Sequence, residues 1–353
     1  MQTFLFYLPF LRGFVVVAVY AERKVSAFIQ NRLGPMEVGP KGLLQTVADL
    51  LKMLQKEDIR ATGADKTPFL IAPLIVFVVV FGGFAVLPLT INVSGAVISP
   101  GLFFLLGIVS LDVLGIMMAG WSSNNKYSVY GALRAAAQIV SYEIPLGLSV
   151  LSVVMISQTL DLQEMSRLQG VLSASSVYFL GIKDWGMDVS HIGGFLAWNI
   201  FQSPVLILSF IVFFIAGLAE ANRTPFDLPE GESEIIGGYH TEYSGFRWGL
   251  FMLSEYAVML LVALLGSILF FGGWNTPLPN VGEVALADWT TGPFWGAFWL
   301  LTKAFIWIFL QMWVRWTYPR LRVDQLMILS WKYLTPLAIL LVLLCGLWRL
   351  WMV

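Results

Sequence analysis

About eight runs of roughly twenty apolar residues recur along this 353-residue chain, and that length is what a helix needs to cross a bilayer core about 30 Å thick. The runs cover approximately 3–21, 69–90, 101–120, 135–158, 194–218, 248–271, 294–316 and 330–351. Lipid offers no partner for backbone N–H and C=O groups, so runs of this kind must fold as helices that satisfy themselves. Composition agrees. Of the residues, 58% are hydrophobic and 12% charged, against about 25% charged in soluble domains. The segment 171–182 is apolar but too short to cross. With no internal repeat and no low-complexity tract, residues 1–353 read as a single membrane domain. The first run could pass for a signal peptide. It is long for one, contains Arg12, and ends in Tyr20-Ala21-Glu22 rather than a small-x-small site, so it reads as a helix that is kept.

Lys and Arg set the orientation. The first connection carries Arg23, Lys24, Arg32, Lys41, Lys52, Lys56, Arg60 and Lys66; the third has Lys126 and Arg134, the fifth Arg223 and Arg247, the seventh Arg320 and Arg322. The other side has only Arg167 and Lys183, with Arg349 near the C-terminal end. The odd-numbered connections are therefore expected in the cytoplasm and both termini outside. Within the first connection, Leu43, Leu44, Val47, Leu50, Leu51 and Leu54 share one face at helical spacing, while Lys41, Gln45, Asp49, Lys52 and Lys56 lie mostly opposite. That pattern predicts an amphipathic helix of about four turns lying in the membrane interface. The expected fold is an all-α polytopic membrane protein of about eight transmembrane helices plus this interfacial helix. Trp121, Tyr127, Tyr130, Trp331 and Tyr333 suit an aromatic belt.

Charge is concentrated in one place. The stretch Leu218–Gly245, LAEANRTPFDLPEGESEIIGGYHTEYSG, gathers Glu220, Asp227, Glu230, Glu232, Glu234 and Glu242 against one cation, Arg223. Phe226, Leu228, Ile235 and Ile236 interleave with the acids, which suits a lining better than a solvated loop. Asp112, Glu143, Glu255 and Lys303 fall inside apolar runs, where an ionisable group costs about 2.5–3.5 kcal/mol on insertion scales. Such groups carry protons, bind cations or make polar contacts between helices. Pro145, just after Glu143, disturbs the local backbone and can admit water.

Several chemistries are excluded. A net charge of -1 argues against nucleic acid. The single cysteine, Cys345, rules out a disulfide framework or a cluster held by cysteines of this chain alone. No dinucleotide or Walker motif is present, and His191 and His240 lack partners at metal-ligand spacing.

Five stretches resemble one family. They are Glu22-Arg23-Lys24 with VSAFIQNRLGPMEVGPKGLLQTVADLLKMLQKE, GWSSNNKYSVYGALRAAAQIVSYEIP at 120–145, the acidic stretch at 218–245, FFGGW at 270–274 and VRWTYPRLRVDQLM at 314–327. The resemblance is to the H subunit (also called subunit 1) of proton-pumping NADH:quinone oxidoreductase, respiratory complex I, and runs from Glu22 to Met327. It implies a subunit at the junction of membrane and peripheral arms, inactive alone, forming much of a quinone chamber. The quinone is then a substrate, with FMN and iron–sulfur clusters in partner subunits only. Carried over, Arg23, Arg32 and Asp49 fall at the chamber entrance or wall, and Arg223, Asp227, Glu230 and Glu232 on its acidic loop. Glu143, Glu220, Glu234, Glu242 and Glu255 fall on a carboxylate path for protons. Arg315, Arg320 and Arg322 fall near partner subunits. No family role attaches to Arg12 or Asp112. The loop lengths favour a bacterial cytoplasmic membrane over an organelle. Three alternatives stay open: a stand-alone proton or cation transporter, a quinone-free hydrogenase-type relative, and a structural anchor.

Overall fold

The computed structural model describes residues 2–93, 100–173, 178–182, 188–189, 192–229, 231–280 and 286–352, without the side chains of residues 2–6, 8, 232, 233 and 352. The described chain is helical, with one isolated antiparallel bridge, Tyr178 to Asp188. Six helices are long and apolar enough to cross a membrane among the described residues, joined by a shorter apolar helix at Pro204–Glu220. This is the expected all-α polytopic architecture.

The helices depart from the expected runs in ways the sequence explains. Helix α1 (Gln2–Ile29) continues beyond Ala21 through Glu22, Arg23 and Lys24. Next come a short 3-10 turn at Pro40–Gly42 and α2 (Gln45–Gln55), eleven residues rather than four turns. Gly39 and Lys41, both at positive φ, break the backbone ahead of it. Helix α3 (Lys66–Gly83) stops seven residues short of the expected run, because Gly82-Gly83 weaken the helix and Pro88 could not continue it. The third run is split into α4 (Gly101–Val109) and α5 (Asp112–Ser122), with Ser110 and Leu111 between them. Helix α6 (Lys126–Ser157) begins earlier than 135, capped by the Asn125 side chain. After α7 (Leu162–Leu168), the run expected from 194 is a 3-10 turn at Gly194–Ala197 and the short α8 (Asn199–Gln202). Helix α9 (Pro204–Glu220) starts only at Ser203-Pro204, where the serine accepts from Val205 N and proline takes the first turn. Then follow the one-turn α10 (Glu232–Ile235), α11 (Gly245–Phe270), the one-turn α12 (Leu286–Trp289) and α13 (Pro293–Thr317). The last run combines α14 (Val323–Ile328), a π-helical turn at Leu329–Leu334, and α15 (Thr335–Met352).

The connections sort to opposite ends. At one end, Arg247 pairs with Asp58 at 2.7 Å, Asn124 donates to Gly63 O at 3.1 Å, Asn125 donates to Glu242 at 2.7 Å, and Leu321 N donates to Pro225 O at 3.1 Å. The first, third, fifth and seventh connections thus meet. At the other end, Gln163 donates to Thr90 O and Ile91 O, and Gln169 donates to Ile268 O while accepting from Asn199 N. Lys303 belongs to this end. Its ammonium donates to Phe271 O (2.6 Å), Gly273 O (3.0 Å) and Asn275 O (2.6 Å), and it stands 4.5 Å from the Trp198 ring centroid. Three N–H donors meet three carbonyls of the turn that follows α11, so the intramembrane cation is fully partnered and holds that turn together.

The core runs the length of the bundle around α11, whose residues Ala257–Phe270 are all buried. A helix buried all round has no need of an amphipathic stripe. In contrast, Leu50, Leu51 and Leu54 of α2 are exposed, as a face turned toward lipid requires.

Candidate functional site

An apolar cavity of about 150 Å³ lies between α1, α2 and α11. Val15, Val19, Leu50, Leu54, Phe246 and Leu253 make its greasy wall, and Arg23, Asp49 and Tyr256 supply its polar edge. Arg23 and Asp49 bridge α1 to α2 at 2.7 Å. Gln45, one helical turn before Asp49, donates to its other oxygen at 3.0 Å. A second, polar cavity of about 390 Å³ shares the same pair in its lining, together with Lys52, Lys56, Tyr243 and Trp248. The Arg23–Asp49 pair is thus common to a largely apolar cavity and a polar one. Arg32 lies apart, exposed on the loop after α1, with its Nε donating to Gln30 at 2.6 Å.

Behind the cavity is a buried ionic cluster. Glu22, 5% exposed, projects from α1 just before Arg23. Arg315 of α13 donates to its Oε1, Arg223 approaches both oxygens at 3.4 Å, and the Tyr256 hydroxyl of α11 donates to Oε2 at 2.6 Å. The Arg223 guanidinium rests 4.3 Å from the Tyr256 ring centroid. Burial works against the Arg223 charge, but the Glu22 carboxylate, followed by Tyr256 and Glu255, outweighs it and raises its basicity. Two guanidiniums share the Glu22 carboxylate, and Arg223 Nε and Nη2 are buried without a hydrogen-bond partner among the described residues. Arg223 comes from the acidic stretch, whereas the sequence assigns Glu22 no role. Its signal was a carboxylate directly preceding two cations, which looked like the end of a span.

The acidic loop lines rather than floats. Phe226, Leu228 and Ile235 are buried, while Ile236 is exposed. The loop is held against α6 and the seventh connection. Arg320 donates to Leu228 O at 3.1 Å, and Arg134 of α6 pairs with Glu234. That hydrogen bond keeps the Glu234 carboxyl below the usual range. Backbone contact is close where α6 passes the loop: a Cβ on Gly131 would meet Gly238 Cα at 2.6 Å, and one on Gly238 would meet Pro229 O at 1.7 Å. Asp227 is partly buried in this loop. Glu230 and the side chain of Glu232 lie outside the described residues.

From the cluster, acids lead into the bundle. Glu255 on α11 accepts from Tyr239 at 3.5 Å and bears electrostatically on Arg223. Gln138 of α6 donates to Ala219 O (2.8 Å) and Asn222 (3.1 Å), tying α6 to the C-terminus of α9 where Glu220 projects. Ser110, between α4 and α5, donates to Glu143. Glu143 and Asp112 both lie close enough to act on Glu220 electrostatically. Glu220 Oε2 and Asp112 Oδ1 are buried with no hydrogen-bond partner among the described residues. The structure thus gathers Asp112 and Glu143 around Glu220, and nothing in the sequence assigns Asp112 that place. Glu143 opens onto an apolar cavity of about 510 Å³ between α4 and α6. Glu242 and Glu234 are at the loop surface, held by Asn125 and Arg134. No group of three or more His, Cys, Asp or Glu suited to a metal occurs among the described residues.

A helical membrane protein with a half-apolar cavity on a buried ionic cluster, and acids running inward from it, is a class built to join a polar event at one end to charge movement in the membrane. The NADH dehydrogenase family profile matches residues 1–346. The chain is 56% identical over 359 residues to an NADH-quinone oxidoreductase H subunit of Cytophaga hutchinsonii, the second of that name there, covering 99% of this chain and 98% of that protein. It is 53% identical to the H subunit of Chlorobium luteolum, covering 94% and 84%, and 44% identical to that of Brevibacillus brevis, covering 93% and 86%. The chain belongs to the family of NADH-quinone oxidoreductase H subunits.

Proposed function

We propose that this chain is the membrane subunit of a bacterial respiratory complex I in which quinone enters and is reduced, and from which protons are first moved. The observation that carries this reading is the cavity between α1, α2 and α11, apolar on its wall and ending on Arg23, Asp49 and Tyr256. An isoprenoid quinone has the same polarity: a long apolar tail and a head that needs hydrogen bonds and, once reduced, protons. Arg223, Asp227, Glu230 and Glu232 then line the inner chamber, and Arg32 marks its outer rim. NADH, FMN and the iron–sulfur clusters belong to partner subunits, which supply the electrons. In support, the odd-numbered connections, with Arg320 and Arg322, form one continuous face.

The coupling is electrostatic. Reduction places negative charge beside the Glu22–Arg223–Arg315 cluster, and protonation removes it. Each change alters the balance felt by Glu255 and then by Glu220 and Glu143, so protons redistribute along the acids. Glu234 and Glu242 serve at the loop end of that path. Glu143 facing an apolar groove suits a continuation into a neighbouring membrane subunit, because lipid beside a carboxylate is costly. Eight spans, both termini outside and the cluster end in the cytoplasm complete the proposal, in line with the Lys and Arg distribution.

A pair of rates tests it, on membranes matched for assembled complex. Asp227→Asn, Glu143→Gln and Glu255→Gln should each depress NADH:quinone activity and spare NADH oxidation by an artificial acceptor that draws electrons upstream. A stand-alone transporter or an anchor that still assembles predicts both rates unchanged in all three variants, and that result overturns the reading.

A further inference from the structure

Helix α6 carries a built-in defect one turn wide. Pro145 has no N–H and cannot bond to the carbonyl four residues earlier, which is that of Ser141. Within a membrane, a carbonyl freed in this way must find another donor. The donor comes from the last helix: Ser330 Oγ donates to Ser141 O at 2.6 Å. Ser330 is fully buried and sits in the π-helical turn Leu329–Leu334. That turn lies just before Pro336, which likewise removes a bond from its own helix.

The grip extends over two residues of α6. Trp331 Nε1 donates to Ser141 Oγ at 3.2 Å, Ser141 Oγ donates back to Ala137 O at 2.6 Å, and the Tyr142 hydroxyl donates to Leu326 O at 2.9 Å. The next residue is Glu143. Its side chain meets Ser110 on the other side of α6, with the titratable groups Asp112 of α5 and Glu220 of α9 close by. The turn that presents Glu143 is therefore set from outside its own helix.

We propose that Ser330 is a positioning residue for Glu143: by capping the Ser141 carbonyl that Pro145 leaves free, it fixes the α6 turn from which Glu143 reaches Ser110 and the neighbouring acids. The proposal rests on the reading of Glu143 as a proton-carrying group. Trp331 completes the clamp through the Ser141 hydroxyl. This arrangement gives the π-helical turn a purpose. It widens the last helix by one residue per turn, which brings Ser330 and Trp331 onto α6 together.

The test is a cycle in the assembled complex, using Ser330→Ala, Pro145→Ala and the two combined, with Glu143→Gln alongside. Ser330→Ala should slow NADH:quinone activity roughly three- to tenfold, the scale of one lost buried hydrogen bond. It should also move the pH profile of that activity, because Glu143 then meets Asp112, Glu220 and Ser110 in an altered geometry. Pro145→Ala restores an N–H that can serve Ser141 O, so Ser330→Ala should cost nothing further in that background. If Ser330→Ala fails to assemble, Pro145→Ala should restore assembly of the double variant. A normal rate and profile for Ser330→Ala, a slower rate with an unmoved profile, or a defect undiminished by Pro145→Ala each overturns the proposal. If Glu143→Gln itself is without effect, it is the reading of Glu143 that falls, which Ser330→Ala alone would not reveal.

Discussion

Tyr256 donates its hydroxyl to Glu22 at 2.6 Å while its ring lies 4.3 Å from the Arg223 guanidinium, so one side chain serves both charges of a buried pair. Arg315 approaches the same carboxylate from α13. Three elements, α1, α11 and α13, are thereby joined to the acidic loop through a single carboxylate.

Glu22→Gln removes the anion at the centre of that arrangement and leaves two guanidiniums facing each other. Breaking a buried pair from one side costs about 3–5 kcal/mol. The expected outcome is a large loss of assembled complex in membranes, read on native gels. Tyr256→Phe keeps the ring under Arg223 and loses one hydrogen bond to a charged group, about 1.5–3 kcal/mol, less than the loss of the anion, so it should assemble better than Glu22→Gln. An assembled, fully active Glu22→Gln complex would remove the cluster from the account.

The Arg134–Glu234 contact latches the acidic loop to α6. Hydrogen bonding to Arg134 depresses the Glu234 carboxyl. The latch is therefore present above the ordinary carboxylate pKa and lost only as pH falls through the lowered folded value. Near neutral pH it stays closed, so Arg134→Gln should leave the neutral pH profile of the quinone rate in place, whereas Glu234→Gln, which removes a group from the loop end of the proton path, should lower that rate. Both side chains are partly exposed, and the effect on assembly should be small. A pH–rate profile for each variant checks this.

Leu50 lines the cavity and belongs to the exposed apolar face of α2. Leu50→Asp puts a charge where a quinone tail or lipid should lie. We expect less assembled complex, and in what assembles a higher KM for quinone with artificial-acceptor activity intact. Normal assembly and an unchanged KM would make α2 a solvated connector.

With Cys345 replaced, a cysteine at Lys56 or Lys126 should react with an impermeant maleimide only from the cytoplasmic side. The two positions lie in the first and third connections, which meet at the same end of the bundle through Asn124 and Gly63. Labelling only from outside would invert the orientation drawn from Lys and Arg.

The sequence by itself determined the helical membrane class, the interfacial helix and the acidic stretch, because apolar length, helical spacing and charge density are local properties. Helix limits were not legible in the apolar runs: the run expected to reach 90 ends at Gly83, where a glycine pair weakens the helix, and capping by Asn125 and Ser203 set starts that apolar length does not show. Lys303 looked like an intramembrane charge in need of a purpose, and the fold made it a clamp on three carbonyls of the turn that follows α11. Glu22 looked like the end of a span, and the fold made it the centre of the ionic cluster. Asp112 looked isolated, and the fold set it, like Glu143, within electrostatic reach of Glu220. Each of these roles depends on a partner thirty to three hundred residues away in the chain, roughly, and no local pattern encodes such a pairing; it is fixed only when helices pack and buried charges and carbonyls must be satisfied together.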